Sequence, residues 1–253
     1  MRNLELGADV PDPLAPYLAV DRSQPRHECW VTGHMVAGLD GTSAVGGRVG
    51  PLSTRPDQQL FVRLRQIADV VLVGAETVRR EGYHPVALSA EARAQRREAG
   101  KPETPSIAIV SRSLEFDWSL PVFTEAPEHS PALIITNAVA DPGRLADAER
   151  VADVIVAGEE EVDPAAALRL LAQRGHRVVL CEGGPTWLGE IVAADRLDEL
   201  CVTVSPMMGG DRFPLSVTPE GAGVTAFELK HAMLEDSTLF LRYESEPEPG
   251  SEP

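Results

Sequence analysis

Four strand-to-helix junctions hold the residues whose types and spacing suit chemistry. In the first, Val178-Val179-Leu180-Cys181 reads as a buried strand running into Glu182-Gly183-Gly184-Pro185-Thr186-Trp187, paired glycines and then a helix start. Such a turn aims several backbone N–H groups and a helix N-terminus at one point, as a phosphate requires. It equally suits a tight turn that needs only positive φ, and spacing leaves the two readings even. Glu182, at the strand end, suits a polar substrate edge or proton transfer. The second junction is Val71-Leu72-Val73-Gly74-Ala75-Glu76-Thr77-Val78. There Gly74 and Ala75 would let a flat ring or a ribose lie on the backbone, or simply let helix and strand pack closely. In the third, Ile109-Val110-Ser111-Arg112-Ser113, a hydroxyl and a guanidinium leave a strand together, the pairing for a phosphate monoester such as the 2′-phosphate of NADP. A solvated arginine is the plainer alternative. The fourth runs from His34-Met35-Val36-Ala37-Gly38-Leu39-Asp40-Gly41 to Gly46-Gly47-Arg48-Val49-Gly50-Pro51. Asp40-Gly41 is a turn signal, and so many glycines describe a loop too long and too mobile for a hairpin, of the kind that closes over a ligand. His34, inside the strand, reads as a satisfied core histidine.

The elements that must position these junctions follow from pattern. β-rich runs recur at Cys29–Val36, Asp69–Val73, Ser106–Val110, Ala132–Thr136, Val154–Val156, Arg177–Cys181, Glu199–Val204 and Thr238–Tyr243, several apolar on both faces, as central strands are. Thr54, Pro56 and Asp57 open a helix whose Leu60, Phe61, Leu64, Ile67 and Ala68 share one face. Asp163-Pro164 starts another, with Leu168 and Leu171 inward and Gly175 as its left-handed stop. A third begins at Pro185 or Thr186 and runs to about Asp195. Alternating strand and helix predict an α/β sheet, mostly parallel, with helices on both faces.

Composition excludes several classes. The 253 residues carry 23 Lys+Arg against 39 Asp+Glu, a net charge of −16, which disfavours nucleic acid and anionic membrane. No apolar run approaches the ~20 residues of a membrane helix. Three scattered cysteines, Cys29, Cys181 and Cys201, form no disulfide or zinc pattern and point to a reducing compartment, the cytoplasm. No metal site is expected. G-x-G-x-x-G, Walker A, H-E-x-x-H and G-x-S-x-G are all missing from the sequence. Residues 1–25 read as a frayed N-terminal extension, 26–243 as the working domain and 244–253 as an acidic flexible tail, with no chemistry expected at either end.

In this order and spacing the four junctions resemble one family, the reductase domain of the riboflavin-biosynthesis deaminase-reductase, over nearly all of residues 26–243. The resemblance rests on Met35 to Gly41, Leu64-Arg65, Asp69 to Val78, Ser111-Arg112, Glu182 to Thr186, Leu197 to Leu200, Pro206 and Met208-Gly209-Gly210-Asp211. It implies a dihydrofolate-reductase-like, three-layer α/β/α fold with a mixed, mostly parallel sheet, in an NADPH-dependent, homodimeric enzyme. By the same resemblance Ala37, the loop to Pro51, Gly74, Thr77 and Glu81 lie near the cofactor. Ser111 and Arg112 lie at its 2′-phosphate, and Gly183, Gly184, Pro185, Thr186 and Trp187 around its pyrophosphate. Asp40, Arg65 and Glu182 match positions facing substrate, Asp40 and Glu182 as the catalytic pair; Arg48, Val49, Tyr83 and Pro85 join Arg65 as expected substrate-binding residues. The implied substrate is 5-amino-6-(5-phosphoribosylamino)uracil, reduced in its open imine form. The zinc deaminase signature, H-x-E with P-C-x-x-C, is missing, so a stand-alone reductase is expected. The family's substrate-phosphate arginine is missing from Gly82-Tyr83-His84-Pro85-Val86-Ala87-Leu88. That departure leaves two alternatives open: reduction of dihydrofolate or another pteridine, and a cofactor-binding regulator whose substrate pocket has drifted.

Overall fold

The computed structural model describes residues 9–246. In chain order its elements are α1 (Ala15–Leu18), β1 (Trp30–Ala37), α2 (Arg55–Leu64), β2 (Val70–Gly74), α3 (Ala75–Glu81), α4 (Ala90–Glu98) and β3 (Ser106–Val110). There follow α5 (Pro121–Thr124), β4 (Leu133–Thr136), α6 (Pro142–Ala148), β5 (Asp153–Val156), α7 (Pro164–Gln173) and β6 (Val178–Cys181). The chain ends on α8 (Pro185–Ala193), β7 (Glu199–Val204), β8 (Phe227–Glu235) and β9 (Thr238–Ser245). The strands form one sheet in the order β5-β4-β3-β2-β6-β1-β7-β9-β8. The seven strands from β5 to β7 are parallel, and β9 runs antiparallel to both β7 and β8. This is the expected mixed, mostly parallel α/β sheet.

Successive strand residues face opposite layers, so one apolar run serves two cores. Val70 and Leu72 pack with Leu168, Leu171, Leu188 and Ile191 of α7 and α8. Val71 and Val73 pack with Val78 of α3 and Phe123 of α5. The caps follow the sequence reading: the Asp163 carboxylate accepts from Ala166 N at 2.6 Å, and Gly175 closes α7 at φ +91°. α2 begins at Thr54, whose hydroxyl pairs with that of Thr238 at 3.1 Å instead of capping the helix.

Three expectations need correction. The N-terminal extension is not frayed between Leu14 and Arg22. Leu14 and Tyr17 are buried against Leu60, Leu64 and Phe240, and Arg22 donates twice to the buried carboxylate of Glu199 at 2.9 and 3.0 Å. Glu199 also accepts from Arg242, Trp30 and Thr32, so every lone pair has a donor, which lets the interior hold the charge. The acidic tail begins inside β9, which reaches Ser245; the rest of it, 247–253, lies outside the described residues.

The Gly38–Pro51 loop contains a tight hairpin after all. Val45 and Arg48 bridge across Gly46 and Gly47, at φ +59° and +76°, the left-handed pair that a two-residue turn requires. The loop is laced to residues 207–213 by backbone bonds from Leu39, Ser43 and Asp211. No helix among the described residues is long and apolar enough to cross a membrane.

Candidate active site

A cleft of about 1070 Å³ opens where β1, β2, β3 and β6 end, the carboxyl edge at which open α/β sheets hold ligands. Glu182, immediately after β6, has a side chain only 1% exposed. It accepts from Arg65 Nε and Nη2 at 2.6 and 2.7 Å, a bidentate fork, and from the Tyr83 hydroxyl at 2.8 Å. The Arg65 guanidinium stacks 4.4 Å from the Phe61 ring. Burial opposes the charge on Arg65, but Glu182 more than offsets it and holds the guanidinium ionised. Burial, with Glu182 alongside, pushes the Tyr83 phenol well above its ordinary range.

The floor beside this group carries a second buried set. Asp57 on α2 accepts from Thr203 Oγ1 at 2.6 Å and from Ser53 Oγ at 2.5 Å. His34 Nε2 stands 3.8 Å from Asp57 Oδ1, with its ring 5.5 Å from that of Phe61.

Toward β2 and β3 the cleft wall is backbone. Helices α3 and α8 begin at Gly74 and Gly184, and neither glycine can supply a side-chain cap. Their first-turn N–H groups therefore remain for another acceptor. Gly74 N donates to Gly183 O at 2.8 Å, and a Cβ on Gly74 would meet Gly184 N at 3.2 Å. The smallness of Gly74 thus serves close approach of the two turns. A Cβ on Gly184 would meet Thr77 Oγ1 at 3.1 Å, so a side chain there would crowd the same wall. Farther out, Ser111 Oγ accepts from Leu114 N at 3.1 Å, and Arg112 Nη1 donates to both Glu161 oxygens at 2.5 and 2.6 Å. Glu190 lines the cleft nearby, its carboxyl raised by burial and then by Glu161, against Arg112.

The sequence profile of the RibD C-terminal domain matches residues 29–238. The chain belongs to this family. It is a reductase family, and the 2,5-diamino-6-ribosylamino-4(3H)-pyrimidinone 5′-phosphate reductase of Archaeoglobus fulgidus is 27% identical over 180 residues, 71% of this chain and 81% of that one. Among solved structures, a pyrimidine reductase-like protein from Corynebacterium diphtheriae superposes with a TM-score of 0.81 at 27% identity, over 88% of this chain and 94% of that one. An Enterococcus faecalis dihydrofolate reductase, 10% identical over 87% of this chain and 99% of its own, shares the fold at a TM-score of 0.51.

Within this RibD-type cleft the structure gathers Glu182, Arg65, Tyr83, Pro85 and Val49 in the lining, with Gly74, Thr77 and Glu81. Ser111, Arg112, Gly184, Pro185, Thr186 and Trp187 line it as well. Five expected residues stand outside the lining: Asp40, Arg48, Ala37, Pro51 and Gly183. Asp40 is exposed and accepts from Thr42 N and Gly209 N, bonds that hold its carboxyl below the usual range. It braces the Gly38 turn against the 207–210 segment. Arg48 closes the hairpin and is exposed; Ala37 ends β1 with its carbonyl taken by Ser205 N.

Sequence reasoning missed Asp57, Phe61 and the state of His34. Asp57 looks like an ordinary first-turn helix acid, and only Thr203, distant in sequence on β7, reveals it as a buried cleft carboxylate. His34 is buried but not satisfied: its Nε2 has no hydrogen-bond partner among the described residues.

Proposed function

We propose that this chain is an NADPH-dependent reductase of a 5-amino-6-ribosylaminopyrimidine 5′-phosphate, in riboflavin biosynthesis. The observation that carries the reading is a cleft with an anion-binding backbone wall at one flank and the buried Arg65–Glu182–Tyr83 group at the other. The residues fit the cofactor: the uncapped starts of α3 and α8 offer N–H groups to a pyrophosphate, and Ser111 with Arg112 offers a hydroxyl and a cation to a 2′-phosphate. When bound, the cofactor supplies a hydride. The protein's part is to align donor and acceptor and to exclude water.

Glu182, with both oxygens engaged, is a positioning residue in this reading: it fixes Arg65 and Tyr83, and Arg65 keeps Nη1 for a substrate oxygen. In place of the missing arginine of the 82–88 segment, Arg79 and Arg80 line the cleft from the far end of α3, paired with Glu76. The Archaeoglobus enzyme's name carries an amino group at pyrimidine C2, where the uracil expected from sequence carries oxygen. The likeness to that enzyme supports the amino form as substrate for this chain.

A second reading, dihydrofolate as substrate, has one specific support. Asp57 is a buried carboxylate at the cleft floor, suited to the polar edge of a fused ring, while Ala87 stands in a segment without arginine. Loss of nicotinamide absorbance with the diamino compound, the uracil and dihydrofolate in parallel decides among them. Fast oxidation with the diamino compound is expected; oxidation with dihydrofolate alone would overturn the lead reading. Exposed Leu229 and Leu234 on edge strand β8 support a homodimer through that edge, and three free, buried thiols suit the cytoplasm.

A further inference from the structure

We propose that His34, seated against Asp57, donates the proton that completes the reduction. The inference rests on the reading above, that the cleft reduces a ribosylamino imine. His34 is 4% exposed and lines the cleft, and its Nε2 is buried without a hydrogen-bond partner among the described residues. At 3.8 Å, Asp57 Oδ1 is near enough to favour an imidazolium and too far to be a hydrogen bond in the structure as it stands. Buried polar atoms are nearly always paired, so the enclosed Nε2 facing Asp57 needs a reason, and a proton held between this carboxylate and a ring that lines the cleft supplies one. Asp57 cannot drift from its place, because hydroxyls from β7 and from the turn before α2 hold one oxygen each.

Three charged groups face the imidazole: Asp57 and Glu182 favour its protonation, Arg65 opposes it, and burial, the largest influence, lowers its pKa. The other side chains of this half are poorer donors. Both Glu182 oxygens are engaged, the Tyr83 phenol holds its proton tightly, and His84 sits on the exposed rim beside Glu125. As hydride reaches the imine carbon, the C=N π pair moves to nitrogen and takes the proton from His34. One C–H and one N–H bond form, the imine is reduced as the nicotinamide is oxidised, and the imidazole is left neutral until solvent reprotonates it.

The test compares the wild-type protein with His34→Gln and Asp57→Asn. In the wild type, kcat should fall as pH rises through the histidine's ionisation. His34→Gln should lose about 100-fold or more in kcat, with KM and NADPH affinity within about twofold, and should lose that pH limb. Asp57→Asn should keep the limb and move it to lower pH. Independently of turnover, the imidazole NMR signals of His34 in the wild type should shift when the ribitylamino product binds. Wild-type kcat and an unchanged pH limb in His34→Gln, or a His34 signal indifferent to product, overturn the proposal. A wild type that turns over while His34→Gln matches it sinks this inference alone; a wild type that oxidises NADPH with no ribosylaminopyrimidine sinks the functional reading, and the inference with it. If His34→Gln does not fold, the NMR shift and His34→Asn decide.

Discussion

Two arginine–glutamate pairs stand in this cleft, two strands apart along the sheet, with nearly the same chemistry and length. Arg65–Glu182 closes at 2.6 Å with side chains 15% and 1% exposed; Arg112–Glu161 closes at 2.5 Å with side chains 64% and 69% exposed. Burial separates them. In the interior neither partner can trade the other for water, so the pair is a fixed part of the structure that aims Tyr83 and a guanidinium edge. At the surface water competes for both ions, so the bond is weak and replaceable. A contact distance alone says nothing of this difference.

The largest effect should come from breaking the buried pair. Glu182→Gln leaves the Arg65 charge poorly paired inside the protein, a loss of about 3–5 kcal/mol, or roughly 6–20 °C in Tm for a chain of this size. Calorimetry should show that drop, and kinetics should show turnover falling far more than NADPH affinity. Replacing both partners with apolar side chains, Arg65→Met with Glu182→Leu, should restore most of the Tm and none of the activity. A Glu182→Gln protein as heat-stable as the wild type would remove the contrast between the pairs.

The second effect belongs to the exposed end. Ser111→Ala with Arg112→Ala removes a hydroxyl and a charge-assisted contact to a 2′-phosphate, so NADPH affinity should weaken about 10- to 100-fold. NADH affinity should not move, and Tm should fall by about 2–12 °C, because Leu114 N loses its buried partner while the exposed Arg112 adds little. Equal weakening of both nucleotides, measured by titration of nicotinamide fluorescence, would refute the 2′-phosphate assignment.

The two ends also differed in how far they could be read from sequence. Backbone-built features announce themselves locally: a buried strand, a glycine pair and a first-turn proline are contiguous, so the Glu182–Trp187 and Gly74–Val78 junctions were legible, as was the parallel core. Features built by side chains from distant elements were not. Asp57 needs Thr203, 146 positions away, to become a cleft carboxylate, and Arg65 and Glu182 meet across 117 positions. Strand β8 escaped notice because most of its residues are exposed on an edge, where no alternation is imposed. Its hairpin turns at Asp236-Ser237, both at positive φ, without the glycine that would mark it. The bound part of the N-terminal extension escaped because its anchors, Tyr17 and Arg22, are single residues in a stretch with no period.

A third prediction uses pH. Burial lowers the pKa of His34, His176 and His231. For each, the unfolded chain binds the proton more readily than the folded one, so stability is full above the ordinary histidine value and is lost as pH falls below about 6.5. His34, fully enclosed, contributes up to about 1.4 kcal/mol per pH unit in that window, and His176 and His231, partly open to solvent, contribute less. Tm should therefore fall on acidification, and His34→Gln should flatten the fall more than the same substitution at His176 or His231. A His34→Gln protein whose Tm falls with pH as steeply as the wild type would mean that the cleft floor around His34 is wetter than its geometry implies.

The smallest effect is the most telling about the exposed pair. Glu161 holds the Arg112 guanidinium, and Glu190 stands nearby as a second carboxylate, so under the proposed 2′-phosphate assignment Glu161 would compete weakly with that phosphate. Glu161→Gln should free Arg112 at a change in stability of no more than about 0.5 kcal/mol. Because an exposed ion pair is worth about 0.2–1 kcal/mol, NADPH affinity should rise only about two- to fivefold, with NADH unchanged. The sign matters more than the size. A gain for NADPH alone means that Glu161 is displaced when the phosphate arrives; a loss for both nucleotides means that the carboxylate binds the ribose hydroxyls directly, and that the outer end of the cleft is then as firmly built as the inner one.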